Sequence, residues 1–161
     1  MSSQSVAEAA SQWSSYTDAS AGIALEHPVQ WKAVPGMTGL LVAVVGPQGA
    51  GGFAPNLNVV RRVNDVQLSL DDLALNAFRE VKRVLTDAVI IDLDHAVVSR
   101  EPARRFLFAY RQGIYGLTGE QWVWLTRQHI WTVTAGAATE DYDSVADELT
   151  RVVRSLRVDE H

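Results

Sequence analysis

The chain has 161 residues, 47% of them hydrophobic and 20% charged, with a net charge of −5 and no cysteine. A chain of this length suits one domain and buries roughly two thirds of its unfolded surface. The negative balance excludes a global basic field for nucleic acid or an anionic membrane. The missing cysteine excludes disulfides, thiol nucleophiles and zinc–thiolate sites.

The opening MSSQSVAEAASQW has neither a basic n-region nor an apolar h-region, so it does not read as a secretory signal, and the expected location is the cytoplasm. No apolar run approaches the roughly 18 residues of a membrane span. Residues 1–15, rich in Ser, Ala and Gln, are expected to form a flexible N-terminal segment before a single domain over 16–158. Ala21 to Glu26 reads as a strand that His27-Pro28 ends, because the residue before a proline avoids the helical region. Val34-Pro35-Gly36 is a turn, and Leu40 to Val45 a strand. Asn56 to Val63 alternates, with Leu57, Val59 and the stem of Arg61 on one face.

The period then changes from two to 3.6. Leu70, Leu73, Ala74, Ala77, Phe78, Val81, Val84 and Leu85 fall on one stripe and predict a helix. Ser69 suits its N-cap and Asp72 its third position. Asp71 and Asp72 lie in the positive first turn, Lys82 and Arg83 in the negative last one. A strand returns at Val89 to Asp94, with Val89, Ile91 and Leu93 on one face. Ser99 to Pro102 is a turn. Ala103 to Gln112 is a strand with Phe106 and Phe108 opposite Arg105, Leu107 and Ala109. Gln121–Arg127 and Ile130–Gly136 pair as a hairpin, and a second helix runs from about Glu140 to Arg157. Strand runs joined by short turns predict an antiparallel sheet covered by the two helices.

The stretch AVVGPQGAGGFAPN (43–56) mimics two phosphate motifs. Gly46 and Gly51 have the P-loop spacing, but Gly52 and Phe53 stand where lysine and a hydroxyl are required. Gly49 to Ala54 matches a dinucleotide loop, but a strand follows where a helix must begin. The loop therefore reads as a mobile connector, with partner contact as its second reading. His27, His95, His129 and His161 are scattered. Asp92 and Asp94 share a strand face from which His95 points away, so the trio does not read as a metal site. The pairs Asp71/Asp72 and Asp141/Asp143 sit at helix starts, where the dipole explains them. No nucleophile elbow is present. Nothing points to an enzyme or a cofactor.

Arg100, Arg104, Arg105 and Arg111 form the densest basic segment, open to an acidic partner, although Arg104 and Arg105 face opposite ways. Trp122 and Trp124 share a face opposite Val123 and Leu125. Trp131 and Val133 lie opposite Thr132 and Thr134. Core packing accounts for all three tryptophans. The sharper reading is a half-exposed Trp122/Trp124 platform for a partner or an apolar ligand.

The segments GIALEHPVQW (22–31), FAPNLNVV (53–60), SLDDLALNAFREV (69–81), PARRFLFAY (102–110), QWVWLT (121–126) and WTVTAGAATEDYDSVADELTRVVRSL (131–156) together resemble the PsbP-like superfamily, above all its bacterial LpqN-type branch. The resemblance covers about residues 16–157. It implies an α+β fold, an α/β/α sandwich around a central antiparallel sheet of about six or seven strands with two main covering helices. It also implies non-catalytic work and an actinobacterial source. Relatives include the photosystem II extrinsic protein and a nuclear-transport factor that binds Ran. LpqN-type members are mostly exported lipoproteins, and this chain departs from them in lacking a signal and a lipid-accepting cysteine. The expected role is that of an accessory protein binding another protein. Its candidate surface is Trp31, Phe53, Arg104, Trp122 and Trp124. The alternative is a small apolar ligand held in a tryptophan-lined cleft between sheet and helix.

Overall fold

A computed structural model describes residues 12–160. Seven strands form one antiparallel sheet, and three more form a small second sheet. In chain order the elements are β1 (Trp13–Asp18), β2 (Ile23–Pro28), β3 (Lys32–Pro35), β4 (Leu40–Val45), β5 (Asn56–Val63), α1 (Leu70–Val84), β6 (Thr86–Val98), β7 (Glu101–Gln112), β8 (Tyr115–Leu125), β9 (His129–Ala138), α2 (Thr139–Ser155) and β10 (Arg157–Val158). The large sheet runs β3-β4-β5-β9-β8-β7-β6, and the small one β1-β2-β10. The fold is thus α+β, with covering layers on both faces of a central antiparallel sheet.

The two faces are covered unequally. On one, α2 and the small sheet bury Val42, Val44, Leu57, Val59, Trp122, Trp124, Trp131 and Val133 against Ile23, Leu25, Leu149, Val152 and Val153. Ala135 and Ala137, both buried, let α2 approach β9 closely. On the other face α1 packs mainly over β6, β7 and β8. Its smaller core is Leu73 and Val81 against Phe106, Phe108, Val123 and Ile130.

The α1 start is the one expected. Asp72 N–H donates to Ser69 Oγ at 3.1 Å, the N-cap bond that satisfies one orphan amide of the first turn. Other local expectations need correction. β1 begins at Trp13, inside the segment expected to be flexible, and pairs with β2 from Trp13 opposite Pro28 to Asp18 opposite Ile23; residues 1–11 of that segment lie outside the described residues. Lys32 to Pro35, read as a turn at its end, is an edge strand against β4, where proline is tolerated because it gives up only an outward N–H. In β6 Ile90 pairs with Phe108 but Asp92 with Leu107, so Ile91 is an extra residue, a bulge. The bulge reverses the alternation, so Val89 and Leu93 do not share a face.

The glycine loop is held in place. Gly51 N–H donates to Asp141 Oδ2 at 3.0 Å, in the first turn of α2. Gly46 N–H bonds Pro55 O at 2.8 Å, and Gln48 Nε2 bonds Gly52 O at 2.7 Å. A Cβ at Gly51 would lie 2.6 Å from that of Ala138, so close approach to α2 explains this glycine. The expectation of a mobile connector gives way to a loop fastened to the helix by its own hydrogen bonds.

Candidate binding site

The five residues singled out from sequence do not converge on one surface. Trp122 and Trp124 are 4% and 0% exposed, and Trp31 is buried with them. Trp124 stacks on Trp131 with ring centres 5.8 Å apart and 9° between planes. The exposed platform is therefore replaced by core, because α2 and the small sheet both cover this face. Phe53 is half-buried in the glycine loop, tilted against Tyr115 at 5.8 Å. Arg104 lies on the opposite face of the sheet, its Nη2 3.0 Å from Asp71 Oδ1 at the start of α1.

Two carboxylates, Glu120 and Glu160, are engaged internally. Glu120, 2% exposed beneath α2, accepts from Arg105 Nε at 2.7 Å on one oxygen and from the Tyr142 hydroxyl on the other. Arg105 also lies 3.9 Å from Asp92 and stacks over Trp122 at 6.0 Å. Glu160 Oε1 accepts from Thr126 Oγ1, from His129 Nδ1 at 2.6 Å and from Trp131 Nε1 at 3.4 Å. Burial pushes the Glu160 carboxyl up, but the bonds from Thr126 and His129 and the His129 charge outweigh it and hold it below the ordinary range. Asp94 Oδ1 accepts from the His95 amide at 2.8 Å. No group of His, Asp and Glu among the described residues is arranged to hold a metal ion.

Two open surfaces stand out among the described residues. The first is a cleft of about 590 Å³ where the far edge of α1 leaves the sheet. Leu73 and Val81 of α1 and Phe108 and Val123 of the sheet form its apolar part; Gln121, Thr132 and Thr134 form a polar wall. Gly119 makes room for the Phe108 ring, since a Cβ there would lie 2.6 Å from it. Burial pushes the Tyr110 phenol at its border above the usual value. This cleft between sheet and helix has no tryptophan in its lining, because the sheet tryptophans point to the other face. A smaller cleft of about 360 Å³ does reach Trp122, but Asp94, Arg105 and Arg154 make it polar. The apolar, tryptophan-lined cleft of the sequence reading is thus two separate places. The threonines of β9, opposite Trp131 and Val133, were the sequence signal for the polar wall.

The second surface is the β6 edge of the large sheet, opposite the short β3 edge. β6 is the last strand in the order, with no neighbour beyond it among the described residues. Along it Val89, Ile91, Leu93 and Val97 are 55% to 68% exposed. Asp87, Asp92 and Asp94 are interleaved with them and also exposed.

No known family profile matches this sequence, and no curated protein matches it. Similar solved structures do exist. LpqN of Mycobacterium tuberculosis, described as involved in cell envelope biogenesis, superposes with a TM-score of 0.72 at 16% identity, over 92% of this chain and 91% of LpqN. The cyanobacterial PsbP of Synechocystis gives 0.69 at 18%, over 91% and 92%. This is a PsbP-like fold. The Ran-binding protein Mog1p of Saccharomyces cerevisiae shares the PsbP-like fold at 0.60 and 10% identity, over 91% and 95%. At these identities the likeness concerns the fold, as the sequence resemblance implied. Within this PsbP-like domain no helix of the described residues is long and apolar enough to cross a membrane.

Proposed function

We propose that the protein is a non-catalytic accessory protein that binds another protein, and that it does so along β6. The observation that carries this reading is the exposed apolar stripe on an open sheet edge. An edge strand presents unpaired backbone groups to an incoming strand. Two side chains blunt this edge: Asp94 covers the His95 amide, and Lys82 Nζ donates to Ala88 O at 3.0 Å. Two copies pairing through β6 would also set aspartates against aspartates, a destabilising arrangement. The occupant that fits is an extended segment alternating apolar and basic residues. It would pair with the edge, cover the valines and meet Asp87, Asp92 and Asp94. The non-catalytic reading is supported by the internal engagement of Glu120 and Glu160 and by the company of a Ran-binding protein among the similar structures.

Site-specific photo-crosslinking tests this reading in cells. A benzophenone side chain at Ile91 or Leu93 should capture one discrete protein, and the same group at the exposed Ile114 should not. Asp92→Lys with Asp94→Lys should remove the adduct. Equal capture from Ile114, or no adduct from β6, would overturn the assignment.

A further inference from the structure

The cleft beside α1 lies on the sheet face, apart from the β6 edge, and its chemistry is graded. Its α1 side is aliphatic and aromatic, with Leu73, Val81 and the Phe108 ring. Toward β9 and β5 it becomes polar. Gln121 Nε2 donates to Thr134 Oγ1 at 3.1 Å, which orients the amide and leaves its oxygen, like the Thr132 hydroxyl, with no protein partner among the described residues. Two charged residues line the cleft, Arg62 from β5 and Glu80 from α1. Glu80 accepts from Arg83 Nε at 3.2 Å and Nη2 at 2.8 Å, so its charge is matched on its own helix. Arg62 has no carboxylate at ion-pair distance among the described residues. The cleft is therefore apolar at one end and carries an uncompensated cation beside free hydrogen-bonding groups at the other. About 590 Å³ also lies within the range of small-molecule sites.

We infer that this cleft binds a small amphipathic anion, with its carboxylate on Arg62 and Thr132 and its apolar body on Phe108 beneath α1. A guanidinium suits this role because it binds carboxylate in a fork and stays charged at any physiological pH. The apolar body gains by leaving water, and the open polar wall avoids burying the carboxylate unpaired.

Calorimetric titration of the full chain with decanoate and with decanol tests the inference. Decanoate should bind saturably at one site, and decanol about tenfold more weakly, the scale of one lost charge-assisted contact. Arg62→Gln should weaken decanoate about tenfold and leave decanol unchanged, since it removes only the charge. Ala77→Phe, which fills the cleft from α1, should abolish both isotherms; Thr132→Val, which adds no bulk, should weaken decanoate alone. Near-ultraviolet circular dichroism establishes that each variant is folded. Equal affinity for decanoate and decanol, no saturable heat with either, or an unchanged decanoate isotherm in Arg62→Gln would each overturn it. Ile91→Lys on β6 should not alter the decanoate isotherm, so this site and the β6 contact stand or fall separately.

Discussion

Glu120 lies under α2 with Arg105 on one carboxylate oxygen and Tyr142 on the other. Removing its charge leaves Arg105 facing only Asp92 at 3.9 Å. Glu120→Gln should therefore cost about 2–3 kcal/mol in urea unfolding, less than a fully enclosed ion pair because Arg105 reaches solvent. Glu160 is less deeply buried, at 18% exposure. Its carboxyl is held below its ordinary value of 4.5 in the folded chain. A depressed value means that the stabilisation is complete above the unfolded value and is lost as pH falls through the folded one. The stability gap between the native chain and Glu160→Gln should be full above the ordinary carboxylate value of 4.5 and should shrink as pH falls below it. A gap independent of pH would show that the charge of Glu160 has no part in it. Neither residue was singled out in the sequence. A lone glutamate in QWVWL-type surroundings looks like a solvated strand position, and only the packing of α2 over β8 places Glu120 inside.

At the level of elements, α1 was legible because its determinants are local. Ser69, the two aspartates and the apolar stripe all lie within seventeen residues and act through bonds of three or four positions. The β6–β7 hairpin was less so. Its two turn residues, Ser99 and Arg100, have φ of 50° and 69°, the left-handed region that favours glycine. Arg100→Gly should stabilise the protein by roughly 0.5–1 kcal/mol in thermal or urea unfolding. A loss of stability would mean that Arg100 makes a contact outweighing its backbone strain. The bulge at Ile91 was invisible, since a period-two pattern reads the same whether or not a partner strand skips a residue. That single extra residue separates Val89 from Leu93 on opposite faces and spreads the apolar stripe along the edge. The glycine loop shows the same limit. Its missing lysine and hydroxyl were enough to dismiss phosphate binding, but its tie to Asp141 spans 90 positions and no local pattern announces it.

For the whole molecule, the unequal cover of the two sheet faces matters most. One face carries α2, the small sheet and the sheet tryptophans; the other carries α1 alone over half its width. Less apolar surface holds α1 in place, so its amides should exchange at least about tenfold faster than those of α2 in native-state hydrogen exchange. Equal protection would mean that the two faces unfold as one unit. The same inequality creates the cleft and the chance of a ligand there. The sequence alone determined the two helices, most of the large-sheet strands, the antiparallel pairing and the likeness to the PsbP-like fold, because periodicity, caps and turns are read within a few residues. Only the tertiary structure decided which face each strand buries, that Trp122 and Trp124 are core, that β3 and the small sheet exist, and where surface stays open. Those outcomes depend on partners distant in the chain, and burial is a property of what covers a residue rather than of the residue itself.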